Sequence, residues 1–368
     1  MRPLNTAVER FIPSALIFAI VLTVLVALMA LLLTDSGPVA VIQGWGTGLS
    51  GLLEFMTQMA LVLLLGHALA STRPVRASLG KLASVPRSPL RAYVFVFVIA
   101  AMASLITWGF GLVIGGLLAR EVAAEFARRR QAVSFPMLVA SGFSGFVVWH
   151  MGYSGSGPLT AATPGSFIEK QVGHIIPIRE TIFSWWNISA IVVTLNIVNW
   201  MFLGLIFLLS RNTFEVMGLV KNAASNVGDI LLQFPLYAGI MGIMTATGLI
   251  QVLSDSIVAV ASPQTLGLLA FLSAGLVNFF VPSGGGQVAI QAPILLDAAA
   301  RLDVDPSVVI MAVPYGDQWT NMIQPFWALP LLAIAGLKIR DILGYTTVVL
   351  LVSGIVFAAT MLVVGAGV

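Results

Sequence analysis

Charged residues and cysteine are what this sequence has least of. Of its 368 residues only 9% are charged and none is cysteine, whereas 58% are hydrophobic. A soluble domain carries about 25% charged residues because its surface faces water, so this chain cannot cover a water-facing surface of its size. The lack of cysteine excludes disulfides, thiolate metal sites and iron–sulfur clusters. The composition predicts a polytopic membrane protein.

Histidine is also scarce, and its three copies (His67, His150 and His174) are too scattered to predict a metal site. The net charge of +3 does not indicate nucleic-acid binding, because in a membrane protein an excess of basic residues reports topology. We therefore expect membrane lipid around the chain and no nucleic-acid partner.

Long stretches with few or no charges divide the chain into candidate membrane segments. They are 12–34, 52–72, 92–119, 133–168, 181–210, 230–254, 256–296, 306–337 and 342–368. A helix crosses the bilayer with about 20 apolar residues, whereas barrel strands alternate in units of roughly 10. The predicted fold class is therefore all-α, and residues 1–34 hold a retained first transmembrane helix because 12–34 is too long for a signal-peptide core.

Two stretches, 92–119 and 256–300, are interrupted by glycine-rich segments and are predicted to be re-entrant hairpins. Basic clusters flank 92–119 on both sides, and basic residues favour the cytoplasm, so both ends of this segment are placed there, with the tip at Trp108–Gly111. Treating 256–300 in the same way puts fifteen of the 18 Lys and Arg residues in the cytoplasm with the N-terminus, and three outside.

The order of these segments predicts two inverted repeats. The first covers 52–210, with a hairpin at 92–119 and a broken helix at 133–168. The second covers 229–368, with a hairpin at 256–300 and a broken helix at 306–337. Inverted repeats with broken helices indicate a secondary transporter whose site lies at the bilayer midplane, where the repeats meet.

Four polar breaks in apolar sequence supply the candidate site. Glycine lets backbone N–H groups approach a ligand, and the N-terminus of the following helix attracts an anion. The candidate substrate-binding residues are Trp108, Gly109, Gly111, His150, Ser154, Ser156, Ser283, Gly284, Gly285, Gly286, Trp319, Thr320 and Asn321. Because Lys and Arg occur only at segment ends, a monocarboxylate is favoured over di- and tricarboxylates.

Asp317 is the only charged residue within 306–337 and is the sharpest candidate for coupling, because an ionisable group inside the membrane is costly to keep. A carboxylate substrate would repel it, so either a cation lies between them or Asp317 is protonated when substrate binds. We assign coupling to Asp317, Asn321 and Ser283. The coupling ion is H⁺ or Na⁺, with Na⁺ near these three residues as the only metal considered and no other cofactor.

Several motifs resemble the AtoE family of short-chain fatty acid transporters. They are Ile106–Val113, Gly66–Ser71, Phe279–Gly286, Ile290–Pro293, Tyr315–Trp319 and Gln324–Pro330. The resemblance covers most of the chain in order, although Gln287 stands where a histidine is expected. It implies uptake of monocarboxylates such as acetoacetate or butyrate across the bacterial inner membrane. It also implies an ion-transporter-type fold with paired hairpins and an elevator-like motion.

Two other functions remain open, a passive anion channel and an intramembrane protease. Residues 152–155 match the Gly-x-Ser-Gly of serine proteases, and Gly316-Asp317 is similar to the Gly-Asp of aspartyl proteases. A serine nucleophile needs a His base within hydrogen-bond reach, and an aspartyl protease needs a second mid-membrane Asp, so we expect no enzyme. We expect a homo-oligomer, with a dimer favoured.

Overall fold

The computed structural model describes residues 15–50, 73–209 and 227–365, and within these ranges the regular structure is helical throughout. The α-helices are α1 (Ala15–Leu33), α2 (Pro38–Gly48), α3 (Arg73–Ala83), α4 (Pro89–Ile106), α5 (Trp108–Arg128), α6 (Phe135–Ser144), α7 (Ser156–Ala162), α8 (Phe167–Val172), α9 (Trp185–Leu209), α10 (Val227–Ala246), α11 (Leu249–Val258), α12 (Leu266–Asn278), α13 (Gly284–Arg301), α14 (Pro306–Thr320), α15 (Pro325–Ala335) and α16 (Ile339–Gly365). A 3₁₀ helix, Gly145–Met151, follows α6 directly. The predicted all-α fold is confirmed.

Three helical segments of the described ranges are long and apolar enough to cross a membrane. They are Pro89–Ile106, Phe135–Ala162 and Ile339–Gly365, and shorter apolar helices include Leu266–Asn278 and Pro325–Ala335. Breaks between short apolar helices need surrounding protein or a cavity, because non-helical backbone at membrane depth is tolerated only there.

The first predicted hairpin corresponds to α4 and α5, which pack against each other and are separated by Thr107 alone. Thr107 has extended backbone (φ −157°, ψ 140°), so the break falls one residue before the predicted tip, and Trp108–Gly111 forms the first turn of α5. The two arms lie close together because Gly111 has no side chain. A Cβ at Gly111 would come within 2.8 Å of the Ser104 backbone.

The second predicted hairpin corresponds to α12 and α13, separated by residues 279–283. The glycines at 284–286, which we expected to break the helix, form the first turn of α13 instead. Glycine is tolerated there because the first N–H groups of a helix have no intrahelical acceptor. The break itself contains Pro282, which has no N–H to continue a helix. Residues 256–258 belong to the end of α11, so the hairpin arms begin at Leu266.

Both predicted broken helices contain a break. Within 133–168, α6 passes into the 3₁₀ helix Gly145–Met151, which ends in a bend before α7. Within 306–337, α14 and α15 are separated by residues 321–324, where the Gln324 side chain accepts a hydrogen bond from the Phe326 N–H (2.7 Å). Gly336, with φ 70°, ends α15.

The predicted single span 230–254 is two helices. Gly248 has φ 69° and separates α10 from α11, since glycine adopts this left-handed conformation without steric cost. The short helix α11 therefore precedes the second hairpin in the same way that α3 precedes the first. The predicted segment 52–72, the first of the first repeat, lies outside the described residues, as do residues 1–14, 51, 210–226 and 366–368.

Helix α10 packs on α1 and α2, and its contact with α2 is made through small residues. A Cβ added at Gly242 would lie 2.1 Å from the Gly44 carbonyl oxygen and 2.6 Å from the Gly48 Cα. Small residues are typical of helix interfaces in membranes, where they let backbones approach closely.

Candidate functional site

Residues Ser154–Ser156, at the end of the break and the start of α7, lie against both hairpins. The Trp108 N–H, at the start of α5, donates to Ser154 Oγ (3.2 Å). Two residues further on, Ser156 Oγ lies 4.0 Å from the position of a Cβ on Gly285, in the first turn of α13. The structure thus brings together four predicted site residues from three breaks, and Ser154 and Ser156 stay half-exposed beside an exposed Gly285.

The N-terminus of α13 has the character of an anion site. Ser283 caps the helix by accepting a hydrogen bond from the Gly286 N–H (3.3 Å), and the N–H groups of Gly284 and Gly285 have no intrahelical acceptor. An 18-residue helix directs the positive end of its dipole at this point. A carboxylate placed beside Gly285 would meet backbone donors without needing a lysine or an arginine.

His150 and Asp317, both fully buried, face each other behind this surface. His150 Nδ1 lies 3.6 Å from Asp317 Oδ1, which is beyond hydrogen-bond range. On the other side of the ring, His150 Nε2 lies 3.1 Å from the position of a Cβ on Gly284. The imidazole therefore stands between the Asp317 carboxylate and the N-terminus of α13.

A network of amides and a hydroxyl holds Asp317 and engages two other predicted site residues. Asn321 Nδ2 donates to Asp317 Oδ1 (2.9 Å), and Asn278 Nδ2 lies 2.7 Å from Asn321 Oδ1 and 2.9 Å from Thr320 Oγ1. The Thr320 hydroxyl donates in turn to the Gly275 carbonyl (3.0 Å). Asn278 was missed by the sequence reasoning, although an amide at the end of the otherwise apolar α12 is a signal for a buried polar contact.

The orientation of His150 follows from the spacing of aromatic residues before it. Residues three apart eclipse each other in a 3₁₀ helix, as Phe146 and Trp149 do, and Phe143 precedes them by three residues at the end of α6. Their rings lie 6.1 Å and 5.4 Å apart in sequence order. The Trp149 ring then stacks on the His150 imidazole at 3.9 Å with planes 10° apart.

Two more side chains hold the backbone around His150. The His150 N–H donates to Gln318 Oε1 (3.0 Å), and Asn187 Nδ2 donates to the Met151 carbonyl (3.1 Å). The Tyr315 hydroxyl donates to Asn187 Oδ1 (2.8 Å). Gln318 and Tyr315 lie in the recognised motif Tyr315–Trp319 but carry no role in the sequence reasoning, because their partners lie far away along the chain.

Three predicted residues lie apart from this cluster. Trp319 Nε1–H donates to the Leu350 carbonyl (2.7 Å) and its ring packs against Phe271 (4.8 Å), so it stands between α12 and α16. Gly111 faces Ser104 inside the first hairpin, and Gly109 is half-buried in the first turn of α5.

The protease-like motifs are used for other contacts. The Ser154 hydroxyl accepts the Trp108 N–H, and the facing partners of Asp317 are the Asn321 amide and His150. Among the described residues, no group of three or more His, Cys, Asp or Glu side chains is placed to hold a metal ion.

Broken helices whose N-terminal N–H groups meet polar side chains are typical of membrane transporters. Comparison with known proteins gives the family. The model of the short chain fatty acid transporter family matches residues 1–194 and 189–364. The chain therefore belongs to that family, as the motifs suggested.

Two relatives match along nearly their whole length, and each carries a provisional name as a short-chain fatty acid transporter. The protein from Escherichia coli (strain K12) is 37% identical and covers 95% of this chain and 96% of its own. The protein from Haemophilus influenzae (strain ATCC 51907 / DSM 11121 / KW20 / Rd) is 33% identical, with 99% and 98% covered. Among solved structures, the efflux pump MtrF of Neisseria gonorrhoeae aligns with a TM-score of 0.30 at 13% identity over 98% and 97% of the two chains, which supports no structural argument.

Proposed function

We propose that this protein is a cation-coupled secondary transporter of short-chain monocarboxylates, such as butyrate or acetoacetate, in the bacterial inner membrane, with its N-terminus in the cytoplasm. The observation that carries the proposal is the surface between the two hairpins, where Ser154–Ser156 meets Trp108 on one side and Gly285 on the other. Membership of the short-chain fatty acid transporter family supports the substrate class.

In this proposal the substrate carboxylate lies at the N-terminus of α13. The N–H groups of Gly284 and Gly285 and the hydroxyl of Ser156 are the donors. A monocarboxylate has one charge to bind, and one helix N-terminus with a hydroxyl is enough to bind it. A second carboxylate group would need a further cationic partner, and the half-exposed residues named here include none.

Coupling of substrate binding to a cation follows from the Asp317 carboxyl group, which lies behind the binding surface. Asp317 is buried and is separated from the α13 N-terminus by the His150 imidazole. Two carboxylates on either side of one imidazole repel each other unless a positive charge enters with the substrate. That charge is either a proton or a metal cation, so substrate and cation would bind together.

The proposed motion is elevator-like, with a dimer as the working unit. The hairpins and broken helices would move together, because His150 of the first repeat is bonded to Gln318 of the second (3.0 Å). Helix α10, packed closely on α1 and α2, would remain with the static part.

The test is uptake of radiolabelled substrate by purified protein in lipid vesicles. We expect saturable accumulation of butyrate or acetoacetate against its gradient, driven by an imposed proton or sodium gradient. Succinate and citrate should be poor substrates. Uptake that does not saturate and never exceeds equilibrium would indicate a passive channel, and better uptake of succinate than butyrate would overturn the monocarboxylate assignment.

A further inference from the structure

A group of buried polar residues joins α12, α13, α14 and the 3₁₀ helix. We call it the polar ring; its members are His150, Asp317, Asn321, Asn278, Gln287 and Gly284. His150, Asp317, Asn321, Asn278 and Gln287 are all fully buried. Four of these residues contact one another. His150 Nδ1 lies 3.6 Å from Asp317 Oδ1, Asn321 Nδ2 donates to Asp317 Oδ1 (2.9 Å), and Asn278 Nδ2 donates to Asn321 Oδ1 (2.7 Å).

The other half of the ring runs through the second hairpin. Gln287 Nε2 donates to the Ala274 carbonyl (2.7 Å), one helical turn before Asn278 on α12. Gly284 lies three residues before Gln287 on α13, and a Cβ added to it would lie 2.7 Å from His150 Cε1. The path therefore returns to His150, and the three helices that carry the other members pack against one another.

The two amides of the ring have fixed orientations. Asn278 Nδ2 faces the Asp317 carbonyl, Thr320 Oγ1 and Asn321 Oδ1, which are all acceptors. Gln287 Nε2 faces the Ala274 carbonyl and Gln291 Oε1. Because acceptors fix the NH₂ group in each case, the amide oxygens must point the other way.

Within the described part of the chain these oxygens find no donor. Asn278 Oδ1, Gln287 Oε1 and Asp317 Oδ2 are buried and make no hydrogen bond, and neither do the two imidazole nitrogens of His150. Buried polar atoms without partners are rare in native proteins and indicate a bound ion or water. A proton would satisfy one of the three oxygens, whereas a metal cation binds several oxygens at once.

We propose that the polar ring binds a sodium ion through Asp317 Oδ2, Asn278 Oδ1 and Gln287 Oε1. The C-terminal end of α12 at Asn278 adds the negative end of a helix dipole, and such half-helix ends coordinate sodium in other transporters. As the coupling ion, this sodium rests on the proposed transport function. Ser283 and Asn321, expected as ligands, are instead engaged with the Gly286 N–H and with Asn278 and Asp317.

The test measures ion binding without transport, as the melting temperature of the purified protein in detergent titrated with NaCl, KCl or choline chloride at constant ionic strength. A ligand that binds the folded state raises the melting temperature with its concentration. We expect a rise with Na⁺ that KCl and choline chloride do not reproduce. Equal effects of all three salts would mean that water fills the ring, and would overturn the proposal.

The variants Gln287→Met and Thr346→Val form a matched pair. Both replace a fully buried polar side chain by an apolar one, but the Thr346 hydroxyl donates to the Leu343 carbonyl within α16 (3.2 Å), outside the ring. Gln287→Met should weaken the apparent Na⁺ affinity by about tenfold or more, as loss of one metal-site partner does, and Thr346→Val should leave it unchanged. Equal Na⁺ affinity in the two variants would contradict the site.

The result separates this inference from the transport proposal. Sodium binding without monocarboxylate uptake would leave the polar ring assigned and reject the transport proposal. Monocarboxylate uptake driven by protons alone, with no sodium-specific rise in melting temperature, would reject the ring and leave the transport proposal in place.

Discussion

The two hairpins differ in how the break at each tip is closed. At the first, Ser154 from another segment accepts the Trp108 N–H, and Gly111 fits against Ser104. At the second, Ser283 caps its own helix, and Gly285 stays exposed with only Ser156 Oγ within reach of an added Cβ (4.0 Å). The first break is capped by a neighbouring segment, whereas the second caps itself and leaves Gly285 exposed. The difference teaches that similar breaks in the sequence can be closed by different contacts.

The comparison assumes that the two hairpins enter the membrane from opposite sides. Labelling from one side of the membrane tests this assumption, because each position is either labelled or not. Single cysteines at Ser84 and Gln264, in a chain without native cysteine, should be labelled by an impermeant thiol reagent from opposite sides of the membrane. A cysteine at Arg129 should match Ser84, because the basic clusters on both sides of the first hairpin predict a cytoplasmic location for both ends. Labelling of Ser84 and Arg129 from opposite sides would make the segment a true span and remove the inverted repeat.

Gly285→Val should abolish substrate uptake. The backbone of Gly285 is not left-handed and the space around it is open, so valine is accommodated by the fold but occupies the place proposed for the carboxylate. Gly46→Val, at another helical glycine with open space around it, is the matched control and should retain uptake. Normal butyrate uptake by folded Gly285→Val protein would remove the second tip from the site.

Asp317→Asn should separate exchange from accumulation. The amide resembles the neutral form of the carboxylate, so substrate-for-substrate exchange should continue, while gradient-driven accumulation should fail because no charge changes at this position. Both are measured in the same vesicles with internal substrate present or absent. Normal accumulation by Asp317→Asn would show that another residue couples the cation.

Ser154→Ala and Ser156→Ala should have different, smaller effects. Loss of the Ser154 hydroxyl removes the acceptor of the Trp108 N–H and should lower the free energy of unfolding by about 1 kcal/mol, with little change in KM. Loss of the Ser156 hydroxyl should raise the KM for butyrate with little change in stability. The free energy of unfolding comes from thermal unfolding, and the KM comes from initial uptake rates. A raised KM for Ser154→Ala and a loss of stability for Ser156→Ala would reverse the roles given to the two serines.

Much of the fold could be predicted because apolar length and helix-breaking residues act locally. The all-α class and the breaks near residues 107 and 282 follow from hydropathy, proline and glycine. The exact start of each helix did not follow, because Ser283 capping decides that the glycines after it are helical.

The site was predictable in part for the same reason. Ser154, Ser156 and Gly285 are polar or small residues in apolar surroundings, so the sequence marks them. The roles of Gln318, Asn187 and Asn278 depend on partners 36 to 168 residues away, which no local pattern encodes. Trp319 is the opposite case: the sequence motif marks it as a site residue, but the structure packs it between α12 and α16.

The central claim is that a monocarboxylate binds between Ser156 and the open second tip, and substrate protection of a single cysteine tests it most directly. Ser156→Cys should react with a maleimide, and butyrate should slow that reaction in a saturable way while succinate does not. Ser36→Cys, at a half-exposed serine between α1 and α2, should react at the same rate with or without butyrate. If butyrate leaves the Ser156→Cys rate unchanged, or slows both cysteines equally, the account of the site is contradicted.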